Sequence, residues 1–166
     1  MYHTVEEFIA DHLEDSTEAQ KLFDALTDES LGQRVAEGFR TLGELAWHIA
    51  ACVPEMAGQA GLKLAVDLAE EPPATAGGIA QAYRAVCEKL RQAVREEWSS
   101  EALAEKFDFY GMEWSRSKLL WEMMKHEAHH RGQMTVLMRQ AGLPVHGVYG
   151  PSKDEWPPAA PGSAAG

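Results

Sequence analysis

The sequence is short of cysteine, of basic side chains and of long apolar runs, and each shortage narrows what the protein can be. Its two cysteines, Cys52 and Cys87, show no C-x-x-C spacing, which favours small buried side chains in a reducing compartment over a disulfide or a reactive thiol. The 15 basic against 26 acidic residues give a net charge of -11, which should repel nucleic acid and anionic membranes. No apolar run approaches the roughly 20 residues that a membrane span needs.

Length and composition indicate one domain followed by a tail. A chain of 166 residues can bury one core without cross-links. The first residues, MYHTVEEFIADHLEDS, lack the basic start and the apolar run of a secretory signal, so we expect a cytoplasmic protein. The final PPAAPGSAAG is of low complexity. We therefore expect a folded domain over residues 1–156 and a flexible tail over residues 157–166.

The first two predicted helices each open with a T-x-x-E capping box. Thr4 and Glu7 form one box, and the apolar stripe behind it continues to about residue 26. Thr41 and Glu44 form the other box, at the start of TLGELAWHIAACVPEMAGQAG, which ends in a glycine-rich stop.

Two further helices follow, with a short extended segment between them. The third helix covers IAQAYRAVCEKLRQAVREEW, and the fourth runs from about Ser115 to Gln140, ahead of a stop at Gly142. The intervening KFDFYGMEW predicts a short extended segment or hairpin with Gly111 at its turn. Before the third helix, LKLAVDLAEEPPATAGG ends in prolines and a double glycine, which argues against regular structure there. The pattern predicts an all-α fold, a four-helix bundle with a long crossover between helices 2 and 3.

The fourth helix carries three histidines within five positions, in WEMMKHEAHHRGQMTVLM. On a helical wheel of about 100° per residue, His126 and His130 fall on the apolar stripe, and His129 falls toward the polar flank. An i, i+4 pair brings its Cβ atoms to about 6 Å, close enough for two imidazoles to bind one ion. The alternative is that hydrogen bonds within the chain satisfy the buried rings.

The second helix offers a third ligand, because His48 lies at the margin of its apolar stripe. A bundle that aims His48 at the pair would give three neutral nitrogens with open positions for water, the arrangement of a catalytic rather than a structural site. Cys52 and His12 are reserve ligands, and His129 fits better as a neighbour of the ligands or a surface group. His146 is expected at the surface.

The chain resembles the DinB-like (DinB/YfiT) family of four-helix metalloproteins. The resemblance rests on LGELAWHIA around His48, on HEAHHRGQMTVLMRQAGLP from His126 to Pro144, and on the trailing GVYGPSKDEW. It covers nearly the whole chain up to the tail. It implies a bundle with a long crossover after the second helix, a divalent ion, zinc or nickel, on His48, His126 and His130, and a homodimer.

Three residues complete the H-x-x-x-H-R-G-Q element of this resemblance. Gly132 would permit a close approach of helices, since it has no side chain. Gln133 lies on the histidine side and could hydrogen-bond a ligand, and Arg131 could pair with a core or interface carboxylate.

Three functions are open at this point, because members of the family include metal-dependent hydrolases and, more distantly, thiol-dependent transferases. The first is a hydrolase with metal-bound water and Glu44, Glu55 or Glu122 as base, although each of these also fits a solvated helix face. The second is a metal-dependent S-transferase that binds a low-molecular-weight thiol as its thiolate. The third is a non-catalytic metal-binding module of a stress response. We expect the first.

Overall fold

Four long helices and one small hairpin make up the protein in the computed structural model, which describes residues 1–157. The helices are α1 (Val5–Asp24), α2 (Leu42–Gln59), α3 (Ala76–Glu97) and α4 (Arg116–Gln140), the strands are β1 (Lys106–Phe109) and β2 (Met112–Ser115), and short 3-10 helices cover Asp28–Gly32, Glu101–Ala104 and Lys153–Glu155. Helix α3 packs against both α1 and α2, and α4 packs against α2. The predicted four-helix bundle is confirmed. The tail predicted at residues 157–166 lies, apart from Pro157, outside the described residues.

Both predicted capping boxes form, and they fix where α1 and α2 begin. Thr4 Oγ1 accepts the Glu7 N–H at 3.1 Å, and the Glu7 carboxylate accepts the Thr4 N–H at 3.2 Å. At α2 the corresponding Thr41 and Glu44 contacts measure 3.1 and 2.6 Å. Each box pairs backbone donors that a helix cannot satisfy internally.

Helix α3 begins earlier than the sequence predicts. Its first residue is Ala76, and Thr75 caps it by accepting the Gly78 N–H at 3.1 Å. The double glycine that was expected to mark a loop therefore lies in the first turn. The first-turn N–H groups have no intrahelical partner in any helix, so the capping hydroxyl outweighs the poor helix propensity of glycine.

The hairpin between α3 and α4 has the predicted turn. Strand β1 pairs antiparallel with β2, with Phe109 opposite Met112, and the two turn residues Tyr110 and Gly111 have φ values of 50° and 83°. Left-handed conformations at both central positions are those of a type I′ turn, which Gly111 adopts without steric cost.

Two long connections flank α2. Residues 60–75 form the predicted crossover to α3, and residues 25–41, which include a short 3-10 helix, join α1 to α2. Over the part of the chain that the structure describes, no helix combines the length and the apolar character that crossing a membrane would require.

The core of the bundle consists of two apolar clusters with polar side chains between them. One cluster includes Leu22, Phe23, Leu45, Ile79 and Met134, and the other includes Phe8, Val53, Leu90, Leu120 and Met123. Between them lies a set of buried polar groups that we call the polar layer: Asp15 of α1, the Tyr83 hydroxyl of α3, and Glu127 and Arg131 of α4. The polar layer thus joins three of the four helices.

Arg131 is the centre of the polar layer. Its Nη1 and Nη2 donate to the two carboxylate oxygens of Asp15 at 2.7 and 2.9 Å, and Nη1 also donates to Glu127 Oε1 at 3.0 Å. The Tyr83 hydroxyl donates to the same Glu127 oxygen at 2.5 Å. Burial raises the pKa of Glu127, and the positive charge of Arg131 opposes that rise. The predicted pairing of Arg131 with core carboxylates is confirmed.

The trailing segment also reaches the polar layer. Tyr149 accepts a hydrogen bond from Arg131 Nη2, and the guanidinium lies 5.2 Å from the centre of the Tyr149 ring. Beside it, His146 lies 2.8 Å from Glu18 and 2.7 Å from Glu155, so it bridges α1 and the last 3-10 helix. His146 is therefore half-buried at a contact between segments rather than a plain surface residue.

We predict that Arg131→Met lowers the free energy of unfolding by about 3–5 kcal/mol, because it leaves the buried Asp15 and Glu127 without their counter-ion. Urea unfolding followed by circular dichroism measures the loss. The matched control is Arg139→Met, on the exposed side of the same helix, for which a change within about 0.5 kcal/mol is expected. A loss below about 1 kcal/mol in Arg131→Met would contradict this role for the arginine.

Candidate metal centre

Three histidines from two helices converge at one edge of the α2–α4 contact. His48 lies in the middle of α2, and His126 and His130 lie one turn apart in α4. The Nε2 atom of His130 is 3.2 Å from Nε2 of His48 and 3.1 Å from Nε2 of His126. These three side chains form a group whose potential ligand atoms all lie within 4.8 Å of one another. The predicted trio is therefore brought together.

The contacts of His130 are compatible with those of a metal ligand. Its Nδ1 lies 2.9 Å from Oε1 of Gln133, an acceptor, so the neutral ring carries its proton on Nδ1. The Nε2 atom then has one lone pair, which faces both neighbouring imidazoles. A cation shared by the three rings could occupy the space between these nitrogens.

The spacing of the nitrogens fits a divalent ion. Ligands held about 2.0–2.1 Å from an ion lie about 3.3 Å apart at tetrahedral angles and about 2.9 Å apart at right angles. The two separations that involve His130 Nε2, 3.2 Å to His48 and 3.1 Å to His126, fall between these values. Imidazole nitrogens are ordinary ligands of zinc and nickel, so the cluster could hold either ion.

The environment keeps the three imidazoles neutral, which ligation requires. Burial, and next the positive charge of Arg40, lower the pKa of His48 to about 4. Burial also lowers the pKa of His126 and that of His130, although the Gln133 hydrogen bond opposes the effect at His130. At neutral pH each ring is therefore neutral and keeps one unprotonated nitrogen that can bind a metal.

Gln133 links the centre to His129. Its Oε1 accepts from His130 Nδ1, and its Nε2 donates to His129 Nε2 at 3.1 Å. The predicted hydrogen bond of Gln133 to a histidine of the trio is thus present. His129 is exposed and lies one step outside the cluster, as its position on the helical wheel predicts.

Neither reserve ligand joins the histidine group. Cys52 contacts His48, with its sulfur 3.3 Å from Nδ1 and 3.4 Å from Nε2, and burial raises the pKa of its thiol to about 11. His12 is buried elsewhere and accepts from Arg91 Nη1 at 3.0 Å. Burial lowers the pKa of His12 to about 3, so it is a neutral core residue.

The expectation for Gly132 is wrong. A Cβ atom built on this residue would meet no heavy atom within 4 Å, and the residue is exposed. Gly132 follows Arg131 by one position, so the 100° step per residue turns it away from the helices that the polar layer holds together.

The three candidate carboxylates have different surroundings. Glu44 accepts the Thr41 N–H in its capping box, and this bond lowers its pKa, which makes it a weak base. Glu122 is paired with Lys125 at 3.0 Å. Glu55 accepts from the Tyr110 hydroxyl at 2.8 Å, and its negative charge raises the pKa of His48, against the larger effect of burial. Of the three, Glu55 is the best placed to exchange protons beside the histidines.

Two residues beside the centre, Tyr110 and Arg40, were not predicted from the sequence. Tyr110, at the hairpin turn, meets Glu55 of α2 because the hairpin folds against that helix. Arg40 precedes α2 and lies close enough to lower the pKa of all three histidines. It also lines a cavity of about 400 Å³ that reaches His130. Long-range packing creates both neighbourhoods, and neither residue belongs to a recognisable motif.

The fold and the three-histidine cluster define a helical bundle with a candidate metal centre between two helices. The model of the DinB family matches residues 1–162, and the chain belongs to this family. The protein YrdA of Bacillus subtilis (strain 168) is 38% identical over 157 residues, which are 94% of each chain. Among solved structures, a DinB-like protein from Bacillus cereus ATCC 10987 is 43% identical, with a TM-score of 0.86 over 90% of this chain and 100% of the other.

A second structure shares the fold at lower identity. The DinB-like protein YjoA of Bacillus subtilis has a TM-score of 0.66 and 22% identity, and the match covers 84% of this chain and 96% of the other. The resemblance that the histidine motifs suggested is confirmed.

We predict that Gln133→Leu weakens metal affinity by about 10- to 100-fold, because His130 loses the acceptor that holds its proton on Nδ1. Competition against a chromogenic zinc chelator measures the affinity. Gln133→Glu is the matched variant, since its carboxylate can still accept from Nδ1. Its metal affinity should stay close to that of the wild type. Equal affinity of wild type and Gln133→Leu would contradict the role of the glutamine.

Proposed function

We propose that this protein is a metal-dependent hydrolase whose ion is zinc or nickel. The observation that carries the proposal is the position of His130 Nε2, which lies 3.1 Å from His126 Nε2 on α4 and 3.2 Å from His48 Nε2 on α2. Burial lowers the pKa of all three rings, which favours their neutral form. Three protein ligands leave positions open on an ion, which is the arrangement typical of catalytic rather than structural zinc. The homodimer, the cytoplasmic location and the lack of nucleic-acid or membrane partners stay predictions.

Three histidines and one glutamine would hold and orient the ion. A bound ion would supply a Lewis acid and lower the pKa of water. His48, His126 and His130 would hold it through Nε2, with Gln133 fixing the orientation of the His130 ring.

Proton transfer falls to Glu55 in this proposal. Oε1 of Glu55 accepts the hydrogen bond from Tyr110, which leaves Oε2 to accept a proton from water. Tyr110 is therefore a positioning residue, since it orients the carboxylate without contacting the reacting atoms.

Metal content tests the ligand set. In tag-free protein, elemental mass spectrometry should find about one equivalent of zinc or nickel in the wild type, and His48→Ala and His130→Ala should lose it. His129→Ala is the matched control, because this histidine of α4 is exposed and outside the cluster, and it should keep the ion. A metal-free wild type, even after reconstitution with either ion, would refute the proposal.

Glu55→Gln tests the reaction. The metal-loaded wild type should hydrolyse the activated ester 4-nitrophenyl acetate, and Glu55→Gln should lower kcat/KM by about 100-fold while metal content stays unchanged. Glu44→Gln and Glu122→Gln should keep most of the activity, since their carboxylates are engaged in a cap and an ion pair.

Two other results would redirect the proposal. Full activity in Glu55→Gln would exclude this carboxylate as the base. A wild type that binds metal, hydrolyses no ester and melts at a lower temperature after chelation would favour the non-catalytic metal-binding module.

A further inference from the structure

A cavity of about 400 Å³ opens beside the candidate metal centre. Its walls come from the connection before α2, from the first turn of α2 and from α4. The apolar lining consists of Val35, Phe39, Leu45, Val136 and Leu137, and the polar lining consists of Arg40, His130 and Gln133. The volume lies within the range of about 300–1,000 Å³ that small-molecule sites occupy.

Much of the apolar lining faces solvent. Phe39 is 64% exposed, Val35 is 61% exposed and Val136 is 50% exposed. Single exposed apolar residues are common, but these three surround one concave surface next to a reactive centre. Covering them with an apolar molecule would remove that surface from water, at a gain of about 25 cal/mol per Å².

Arg40 gives the cavity a positive charge. Within residues 1–157 no carboxylate lies within 4.0 Å of its guanidinium, whereas Arg34 on the same connection lies 3.8 Å from Glu37. The positive charge of Arg40 also lowers the pKa of Glu44, but that carboxylate already accepts a hydrogen bond from the Thr41 N–H. The guanidinium can therefore take a further anionic partner, and its fork of N–H donors matches a carboxylate.

We propose that the cavity binds a small carboxylate with an apolar body, its carboxylate against Arg40 and its apolar part on Phe39 and Val136. His130 lines the cavity and is also a candidate metal ligand. If the proposed hydrolase function holds, the cavity therefore binds part of the substrate. The substrate class is then an ester or amide that carries an apolar group and a separate carboxylate, with the bond to be cleaved on the His130 side.

A matched pair of probes tests the charge requirement. Isothermal titration of 4-phenylbutyrate and of its neutral isostere 4-phenylbutanamide is carried out on the chelator-treated, metal-free protein and on the zinc-reconstituted protein. The wild type should bind the acid roughly fivefold or more tightly than the amide in both forms, since the amide has no negative charge and only one oxygen that can accept from the guanidinium.

Variants separate the two parts of the proposed site. Arg40→Gln should bring the affinity for the acid down to that for the amide. Arg34→Gln, the control on the same connection, should leave both affinities unchanged. Phe39→Ser should weaken the acid and the amide by a similar factor, because it removes apolar contact area and no charge.

Three outcomes would overturn the inference. They are equal affinities of the wild type for acid and amide, no binding of the acid to either form, and acid binding that requires zinc and ignores Arg40→Gln. The last result would make the carboxylate a ligand of the ion. Failure of the proposed function is recognised separately, because a protein that binds no metal would still be tested for the acid in its metal-free form.

Discussion

The fold depends on one buried arginine. Arg131 holds the carboxylates of Asp15 and Glu127 between two apolar clusters, where an unpaired charge would cost several kcal/mol. A buried ion pair adds little net stability compared with apolar side chains, but it has only one arrangement that satisfies every partner. Here that arrangement fixes the rotation of α4 about its own axis. Shifting the helix by one residue would leave Asp15 facing a different side chain.

The same constraint determines where the histidines point. His126 and His130 each precede a member of the polar layer by one residue, which is a rotation of about 100° on a helix. With Glu127 and Arg131 turned toward α1 and α3, the two histidines are turned toward α2 and its His48. One face of α4 thus anchors the helix, and the adjacent face carries the candidate centre. This is how a flexible pair of imidazoles becomes a preorganised one.

The sequence predicted what local patterns encode. The capping boxes, the hairpin turn at Gly111 and the His126/His130 pair depend on spacing within one element. The apolar stripe of the second helix offered His48 as the third ligand, and the family resemblance implied the same trio. The sequence did not predict Asp15 as the partner of Arg131, because the two residues lie on different helices and a lone aspartate in an amphipathic helix has no distinguishing pattern. The role of Arg40 was not predicted either, because this residue belongs to no motif and only the packing of α4 brings it beside His130. The early start of α3 was missed because one capping hydroxyl outweighed two glycines.

The net charge of the chain and the local charge of the centre have opposite signs, and they act over different distances. At physiological ionic strength the field of an exposed charge decays over about 8 Å, so the distant acidic residues that make up the charge of -11 are largely screened at the cavity. Arg40 lies near enough to lower the pKa of all three histidines and is not screened in this way. Repulsion of polyanions such as nucleic acid and attraction of a small anion to the cavity are therefore compatible predictions. A divalent ion on the histidines would strengthen that attraction, since it adds positive charge beside His130, which lines the same cavity as Arg40.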